Sequence, residues 1–473
     1  MTEAIAVFDI GKTNIKLTLV DDQGRELAVR RCANQVRNDG PYPHHDVARI
    51  ESWLLDNLAE LARDWPIRAI VPVAHGATAA LVDEDGLVLP IADYEFDFAL
   101  SAEEAPYETI RPPFAQSFSP LLGVGLNLGR QLYWQSLRFP QALARARHLL
   151  MYPQYWAWRL SGVAAAEVSS LGCHTDLWEP AHAGYSSLPQ ALGWSHLMPP
   201  LHPAWEVLGT VRPEVALAAG LPSDCAVLCG VHDSNASLLR YLRAPTSGPR
   251  VVLSTGTWLI AAALDGQLDH LQEQADMLAN VNVAGAPVAC MRFMGGREFA
   301  QLAGDAPVCD MTVLQALIDA RVMALPCFSG CGGPFASRAG SILGTLPTHP
   351  ASRYALATLY CALMTDYCLE WLDAPGDVVV EGSFTANPHF AAVLSTLTGR
   401  RVSSSPDASG TTIGGWLLGQ WGRGDVVDKL PGLVRSPAAT LHGLADYRRA
   451  WRSAVDEMAS AAVTDAALAV SPD

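Results

Sequence analysis

The 473-residue sequence is almost without lysine: only Lys12, Lys16 and Lys429 accompany its 29 arginines. Two of the three sit in one short turn near the N-terminus, where a compact point charge suits a phosphate site. Positive charge is scarce overall. Lys plus Arg number 32 against 48 Asp plus Glu, a formal net charge of −16. That balance argues against a general nucleic-acid binder and a basic membrane-surface protein, and leaves room for small anions in a local pocket. Long apolar runs are missing too. The stretch from Val251 to Leu264 is broken by Ser254, Thr255, Gly256 and Thr257. Nothing reaches the roughly 20 uninterrupted residues of a membrane span. Glu3 stands where a signal peptide would carry basic residues. A soluble, cytoplasmic protein is expected. No Cys-x-x-Cys occurs among the ten cysteines. Cys225/Cys229 and Cys327/Cys331, with His232 nearby, could be imagined as a zinc site, but their spacing is looser than structural zinc prefers. Free, mostly buried thiols in a reducing compartment are expected instead.

What is present is ordinary globular material, 50% hydrophobic and 17% charged. The length is about three times that of a typical domain, so two or more domains are expected. The chain opens with an apolar strand, Ala4 to Phe8, a polar turn, Asp9-Ile10-Gly11-Lys12-Thr13-Asn14, and a second strand, Ile15 to Val20. Glu51 to Trp65 has helical periodicity, Arg68 to Ala74 reads as a strand, and Leu81 to Leu89 reads as a hairpin around Asp83–Gly86. Gln141 to Leu160 reads as one helix, Val227 to Gly230 as a strand, and Asp233 to Leu242 as a helix. Pro245, Gly248 and Pro249 mark a join, giving expected domains 1–244 and 245–473. The second half restarts with the same grammar: strand Val251 to Leu253, turn Ser254-Thr255-Gly256-Thr257, strand Trp258 to Leu264. Ala355 to Leu372 and the Ala-rich 439–470 read as helices, and strand Val378 to Val380 runs into Glu381-Gly382-Ser383. Alternating strands and helices indicate an α/β fold, duplicated around one ligand.

The first turn is not a Walker A loop. Gly11-Lys12-Thr13 is present, but Ala6 occupies the first glycine position and the residues between are strand. It makes better sense as a different nucleotide loop. Asp9 can hold Mg²⁺ through water, Gly11 lets amides approach phosphate oxygens, Thr13 and Asn14 offer donors, and Lys12 or Lys16 offers charge. Thr255 and Gly256 could grip the same phosphates, and Gly382 and Asn387 could hold a nucleoside. In Gly230-Val231-His232-Asp233-Ser234-Asn235-Ala236 a carboxylate stands at a helix N-terminus. It reads either as an N-cap or as a general base that takes a proton from an alcohol in phosphoryl transfer; there the dipole should keep it ionised.

These segments together resemble the FGGY carbohydrate kinases across roughly residues 4–422. The first phosphate motif resembles FDIGKTNIK at 8–16, the second STGTW at 254–258, the adenosine motif EGSFTANP at 381–388 and the base motif GVHDSNA at 230–236. PQYWAWRLSG at 153–162 and HGATAALVD at 75–83, the latter like the sugar-side segment of xylulose-type members, complete the set. The resemblance implies an actin-like, ribonuclease-H-like ATPase fold of two similar domains with a ligand cleft between them. It implies ATP and Mg²⁺ as cofactors and a small sugar as substrate. Asp233 becomes the catalytic base, and Asp9 with Asp233 flanks the metal. Gly11, Thr13, Asn14, Lys16, Thr255 and Gly256 face the phosphates, Gly382 and Asn387 the adenosine, and His75 with Tyr94 the sugar. Departures mark a divergent subgroup. Asp93-Tyr94-Glu95-Phe96-Asp97 lacks the family's usual Arg, Glu381-Gly382 replaces a Gly-Gly pair, and Lys12 replaces a small hydroxyl residue. The expected reaction is ATP-dependent phosphorylation of a ketose such as xylulose, ribulose, rhamnulose or fuculose. No nucleic-acid or membrane partner is expected, and a homodimer is the default assembly. The rival reading is an ATPase or sugar sensor of the same fold without transfer to sugar. A glycosidase built on Asp9 and Asp233 leaves the Gly/Thr turns unexplained.

Overall fold

The structure is a computed structural model. It describes residues 3–243, 248–406, 409–423, 426 and 430–468, with side chains to 457. Pro245 of the expected join and Lys429 lie outside the described residues. The chain divides into two compact units. The first takes residues 1–247, 278–288 and 409–430; the second takes 248–277, 289–408 and 431–473.

The first unit is built on β1 (Ala4–Ile10), β2 (Asn14–Asp21), β3 (Glu26–Ala33), β4 (Ile67–Ala74), β5 (Val207–Thr210), β6 (Ala226–Leu228) and β7 (Val231–His232). The sheet order is β5-β6-β4-β1-β2-β3, with β7 also on β4. Strands β1, β6 and β7 all run parallel to β4, whereas β2 is antiparallel to β1. Both faces are covered, as parallel strands require. In β1 the even positions Ala4, Ala6, Phe8 and Ile10 pack with helix α1 (Val47–Leu61) through Ile50, Leu54 and Leu58, and with Trp156 of helix α2 (Tyr152–Ser161). The odd positions Ile5 and Val7 pack on the other side with Leu239, Ile413, Trp416 and Leu417. The last three belong to the helix Gly410–Gly419, whose four glycines conceal it in the sequence. A short helix α3 (Val168–Leu171) precedes α4 (Asp233–Leu242), which starts directly where β7 ends.

The second unit repeats the opening. Strands β8 (Arg250–Thr255) and β9 (Leu259–Ala263) form an antiparallel pair, and β12 (Asp377–Gly382) runs parallel to β8. Strands β11 (Pro287–Phe293), β13 (Val402–Ser404) and β14 (Val434–Ser436) complete the order β11-β9-β8-β12-β13-β14, and β10 (Met277–Val281) belongs from residue 278 on to the first unit. Its helices include α5 (Gly295–Ala303), the buried α6 (Ser352–Trp371), α7 (Phe390–Thr398) and α8 (Leu444–Leu468).

One local expectation is corrected. The helix expected over 141–160 is interrupted by strand His148–Met151, which pairs with Ala79–Val82. The expected 81–89 hairpin is present in short form: Asp83 N–H donates to Gly86 O at 2.9 Å and Val88 N–H to Leu81 O at 3.0 Å, with Val82 bridged to Leu87. Pairing partners far along the chain outweigh local propensity here. Among the described residues no helix is long and apolar enough to cross a membrane. All ten cysteines are free.

Candidate active site

Side-chain alternation in β1 places Asp9 on the same face as Val7. A Cβ on Gly415 would stand 2.5 Å from Val7 Cγ1, so the Gly410–Gly419 helix lies tight against that face. One helical turn earlier, Thr411 Oγ1 donates to Asp9 Oδ2 at 2.6 Å. Lys16 Nζ stands 3.6 Å from the same oxygen. The β1–β2 turn is closed by the Gly11 N–H on Asn14 O at 2.9 Å, and Asn34 braces it through Thr13 O and Gly11 O. Thr13 and Asn14 are left exposed at its tip. Lys12 does not join them. Its Nζ donates to Asp93, lies 3.2 Å from Glu95 and sits 4.9 Å over the Tyr94 ring. Two departures noted in the sequence, Lys12 and the Asp93–Glu95 segment without Arg, are therefore partners.

The parallel register of β1, β4 and β7 brings three strand ends to one edge, the usual place for ligands on such sheets. His75 follows β4, and its N–H donates to Ile10 O at 3.1 Å. Among the described residues its buried Nε2 has no hydrogen-bond partner, and its ring is 5.5 Å from Tyr94 and 5.2 Å from His45. Asp233 follows β7 at the first turn of α4. Burial pushes its pKa up, against the pull of His75 and of the Ser234 hydrogen bonds. The helix dipole does not hold this carboxyl down as expected; desolvation outweighs it. Asp9 is raised as well, first by burial, while Lys16 and Thr411 lower it and the charge of Asp233 raises it further. His75 is lowered by burial. Behind Asp233 lies His232, whose imidazole stays neutral because burial lowers its pKa to about 4.

Asp9 and Asp233 are half-buried carboxylates, each with a raised pKa, a pair that a hard cation would relieve. Few carboxylates and nearby water suit Mg²⁺, so these residues fit that ion. Among the described residues no group of three or more His, Cys, Asp or Glu gathers for another metal.

In the second unit β8 and β12 end together, with Thr255 opposite Gly382. Gly382 has φ +83, and a Cβ there would stand 2.0 Å from Thr255 O, so only glycine fits. Thr255 Oγ1 donates to Glu381 O and accepts from Phe384 N at 3.0 Å. Ser254, Gly256 and Thr257 are exposed. A Cβ on Gly296 would stand 1.9 Å from Gly256 O, which brings the first turn of α5 against this loop. Asn387 is turned inward. Its Nδ2 donates to Thr358 Oγ1 at 2.9 Å and its Oδ1 accepts from His389 N and Phe390 N, bracing the start of α7.

The structure thus gathers Asp9, Lys16, His75, Tyr94 and Asp233 in the first unit, and Thr255, Gly256 and Gly382 in the second. Sequence reasoning missed Thr411 and Gly296. The only local signal for either was a glycine cluster, which reads as loop without the packing partner.

Comparisons with known proteins bear on the family and the fold. Residues 4–239 match the N-terminal domain of the FGGY family of carbohydrate kinases, and residues 247–426 match a C-terminal domain described as carbohydrate kinase FGGY. L-fuculokinase of Salmonella typhi is 26% identical over 285 residues, which cover 56% of this chain and 58% of that protein. The match therefore spans little more than half the length of this curated relative. The crystal structure of a carbohydrate kinase from Novosphingobium aromaticivorans superposes with a TM-score of 0.89 at 34% identity, covering 96% of this chain and 99% of that one. Ligand-bound xylulose kinase from Lactobacillus acidophilus shares the fold, with a TM-score of 0.79 at 14% identity over 97% of this chain and 98% of that one. The fold is the actin-like ATPase fold of these kinases. With both family domains matched in order and a solved relative aligned almost end to end, the chain belongs to the FGGY family of carbohydrate kinases.

Proposed function

We propose that the protein transfers the γ-phosphoryl group of ATP to a hydroxyl of a small ketose, with Asp233 as general base. The observation that carries this reading is the single sheet edge where Asp9 lies near the end of one strand and His75 and Asp233 follow the ends of two strands beside it. The sugar hydroxyl gives its proton to Asp233. Its oxygen bonds to the γ-phosphorus as the bond from that phosphorus to the departing ADP oxygen breaks. His75, whose buried Nε2 has no partner among the described residues, and Tyr94 beside it are the proposed sugar contacts. Gly11, Thr13, Asn14 and Lys16 are assigned to the phosphates from the first unit, and Thr255 and Gly256 from the second. Gly382 and the backbone around Asn387 are assigned to the adenosine. Asp9 and Asp233 would hold Mg²⁺, which supplies charge neutralisation on the phosphoryl oxygens. The names of the relatives, L-fuculokinase and xylulose kinase, both denote ketose substrates and support that class.

The test is ADP release from Mg·ATP across a panel of ketoses, polyols and aldoses, with Asp233→Ala beside the wild type. Turnover with one ketose is expected, lost by about 10²- to 10⁴-fold or more in the variant, while nucleotide binding is retained. ADP release that ignores sugar and survives the substitution would overturn the reading in favour of a bare ATPase.

A further inference from the structure

In the second unit a groove of about 690 Å³ runs between the end of α7 and the end of β14, and Arg400, Arg401 and Arg435 line it. Among the described residues no acidic side chain lines it. The chain carries 48 Asp plus Glu against 32 Lys plus Arg, so composition does not account for such a lining. We propose that this groove binds a small molecule through a phosphate group, at a site separate from the turns of this unit assigned to the nucleotide. The proposal does not depend on the kinase reading above.

The three guanidinium groups are unequally compensated. Arg401 is paired, with its Nε 3.0 Å from Asp377 Oδ1 and its Nη2 3.0 Å from Oδ2. That fork engages both oxygens of the carboxylate. Arg400 has no carboxylate of its own. Its Nε donates to Gly376 O, and its Nη2 is buried with no hydrogen-bond partner among the described residues. Burial lowers its pKa, and the charge of Asp377 offsets only part of that, as for a cation short of counter-charge. Arg435 is exposed and makes no ion pair among the described residues. Three arginines thus face one aspartate. A phosphate group near neutral pH carries close to two negative charges and matches the surplus, where a carboxylate would leave half of it. Guanidinium geometry also suits phosphate oxygens. The C-terminal end of α7 attracts cations as well, yet it carries only about half an elementary charge.

The walls of the groove are fixed in advance. Ser395 Oγ donates to Arg400 O at 2.8 Å and the Gly399 N–H to Ser395 O at 3.0 Å, which sets the turn that presents Arg400 and Arg401. Across the groove the chain leaving β14 is fastened to α7. Thr396 Oγ1 stands 2.9 Å from Ala439 O, and the Ala439 N–H donates to Ala392 O at 3.1 Å. A site held this way has little to order on binding. It also lies at the far end of the strands from the nucleotide turns. Arg400 and Arg401 precede β13, whose Val402 is paired with Val378 at the start of β12, whereas Gly382 at the other end of β12 stands opposite Thr255. A six-residue strand separates the two places, a length of about 16 Å.

Calorimetric titration with inorganic phosphate and glucose 6-phosphate tests this, with glucose and gluconate as controls that lack phosphate. Each titration is run with and without Mg·ADP, on wild type and on Arg435→Glu. Arg435 is exposed, so the variant is expected to melt like wild type without ligand. The phosphate probes are expected to bind wild type equally well with or without Mg·ADP. Arg435→Glu is expected to weaken them by about 10- to 100-fold, the worth of a charge-assisted hydrogen bond. Inorganic phosphate binding as tightly as the ester supports the site with free phosphate as sufficient ligand; tighter binding of the ester supports it with the sugar recognised too. No binding of either probe at millimolar concentration overturns the proposal. So does glucose or gluconate binding as tightly as the phosphate probes, unchanged affinity in Arg435→Glu, or displacement of the probes by Mg·ADP.

Discussion

At Asp9 opposing influences meet on one carboxyl. Burial and the charge of Asp233 raise its pKa, and Lys16 and the Thr411 hydroxyl lower it without cancelling the rise. A pKa raised in the folded state makes ionisation costly to stability. That stability is fully present below the ordinary aspartate range and is lost as pH rises through the folded value. In cation-free protein Asp9→Asn is therefore expected to raise the melting temperature at neutral pH, with the gain vanishing toward pH 4, about the unperturbed aspartate value. Thermal melts of both proteins across pH measure it, and an equal offset at every pH would refute it. The same carboxylate is kept, on the proposed reading, because a divalent cation needs it. Lys12 makes the complementary point. The sequence offers it to phosphate, yet the folded chain commits it to Asp93, Glu95 and the face of Tyr94, where it braces the proposed sugar side.

The Gly410–Gly419 helix is the element least legible in the sequence and most consequential for the site. Glycine costs about 1 kcal/mol per helical position relative to alanine, so Gly410, Gly414, Gly415 and Gly419 argue locally for a loop. Packing reverses that preference. A Cβ at Gly414 would stand 2.0 Å from Ala236 O in α4, and one at Gly419 would stand 2.7 Å from Ile5 Cδ1. The glycines let this helix lie on α4 and β1 closely enough for Thr411 to reach Asp9. Gly414→Ala is expected to destabilise by about 3 kcal/mol, since the clash is with backbone and not with a flexible side chain. Urea denaturation reads this directly. A variant as stable as wild type would mean that the two helices do not pack as described. The helix expected over 141–160 fails for the mirror reason: an apolar Ala-rich window suits a helix, but Ala79–Val82 supplies a strand partner for His148–Met151.

For the whole molecule, a chain of net charge −16 is proposed to bind a polyanion, so attraction must come from local devices: backbone amides at glycine turns, Lys16 and a divalent cation. Gly256 tests this with little structural cost, because a Cβ there meets nothing within 4 Å. Gly256→Ala is expected to melt like wild type without ligand, yet to gain less from Mg·ADP, whose stabilisation of the native state tracks its affinity. Equal ligand-induced shifts would remove Gly256 from the nucleotide site. The strand–turn–strand openings at residues 4–20 and 251–264, and the helix from Asp233, were determined by sequence alone. Alternation and turn residues are local signals, expressed in consecutive positions. The contacts that tune the site were not. Thr411 reaches Asp9 across 402 residues, and Lys12 reaches Asp93 across 81. His232 finds room only because Gly76 lies opposite it. Such contacts were decided by strand register and by how closely two layers approach, quantities that exist only once the sheet has formed and its helices have packed.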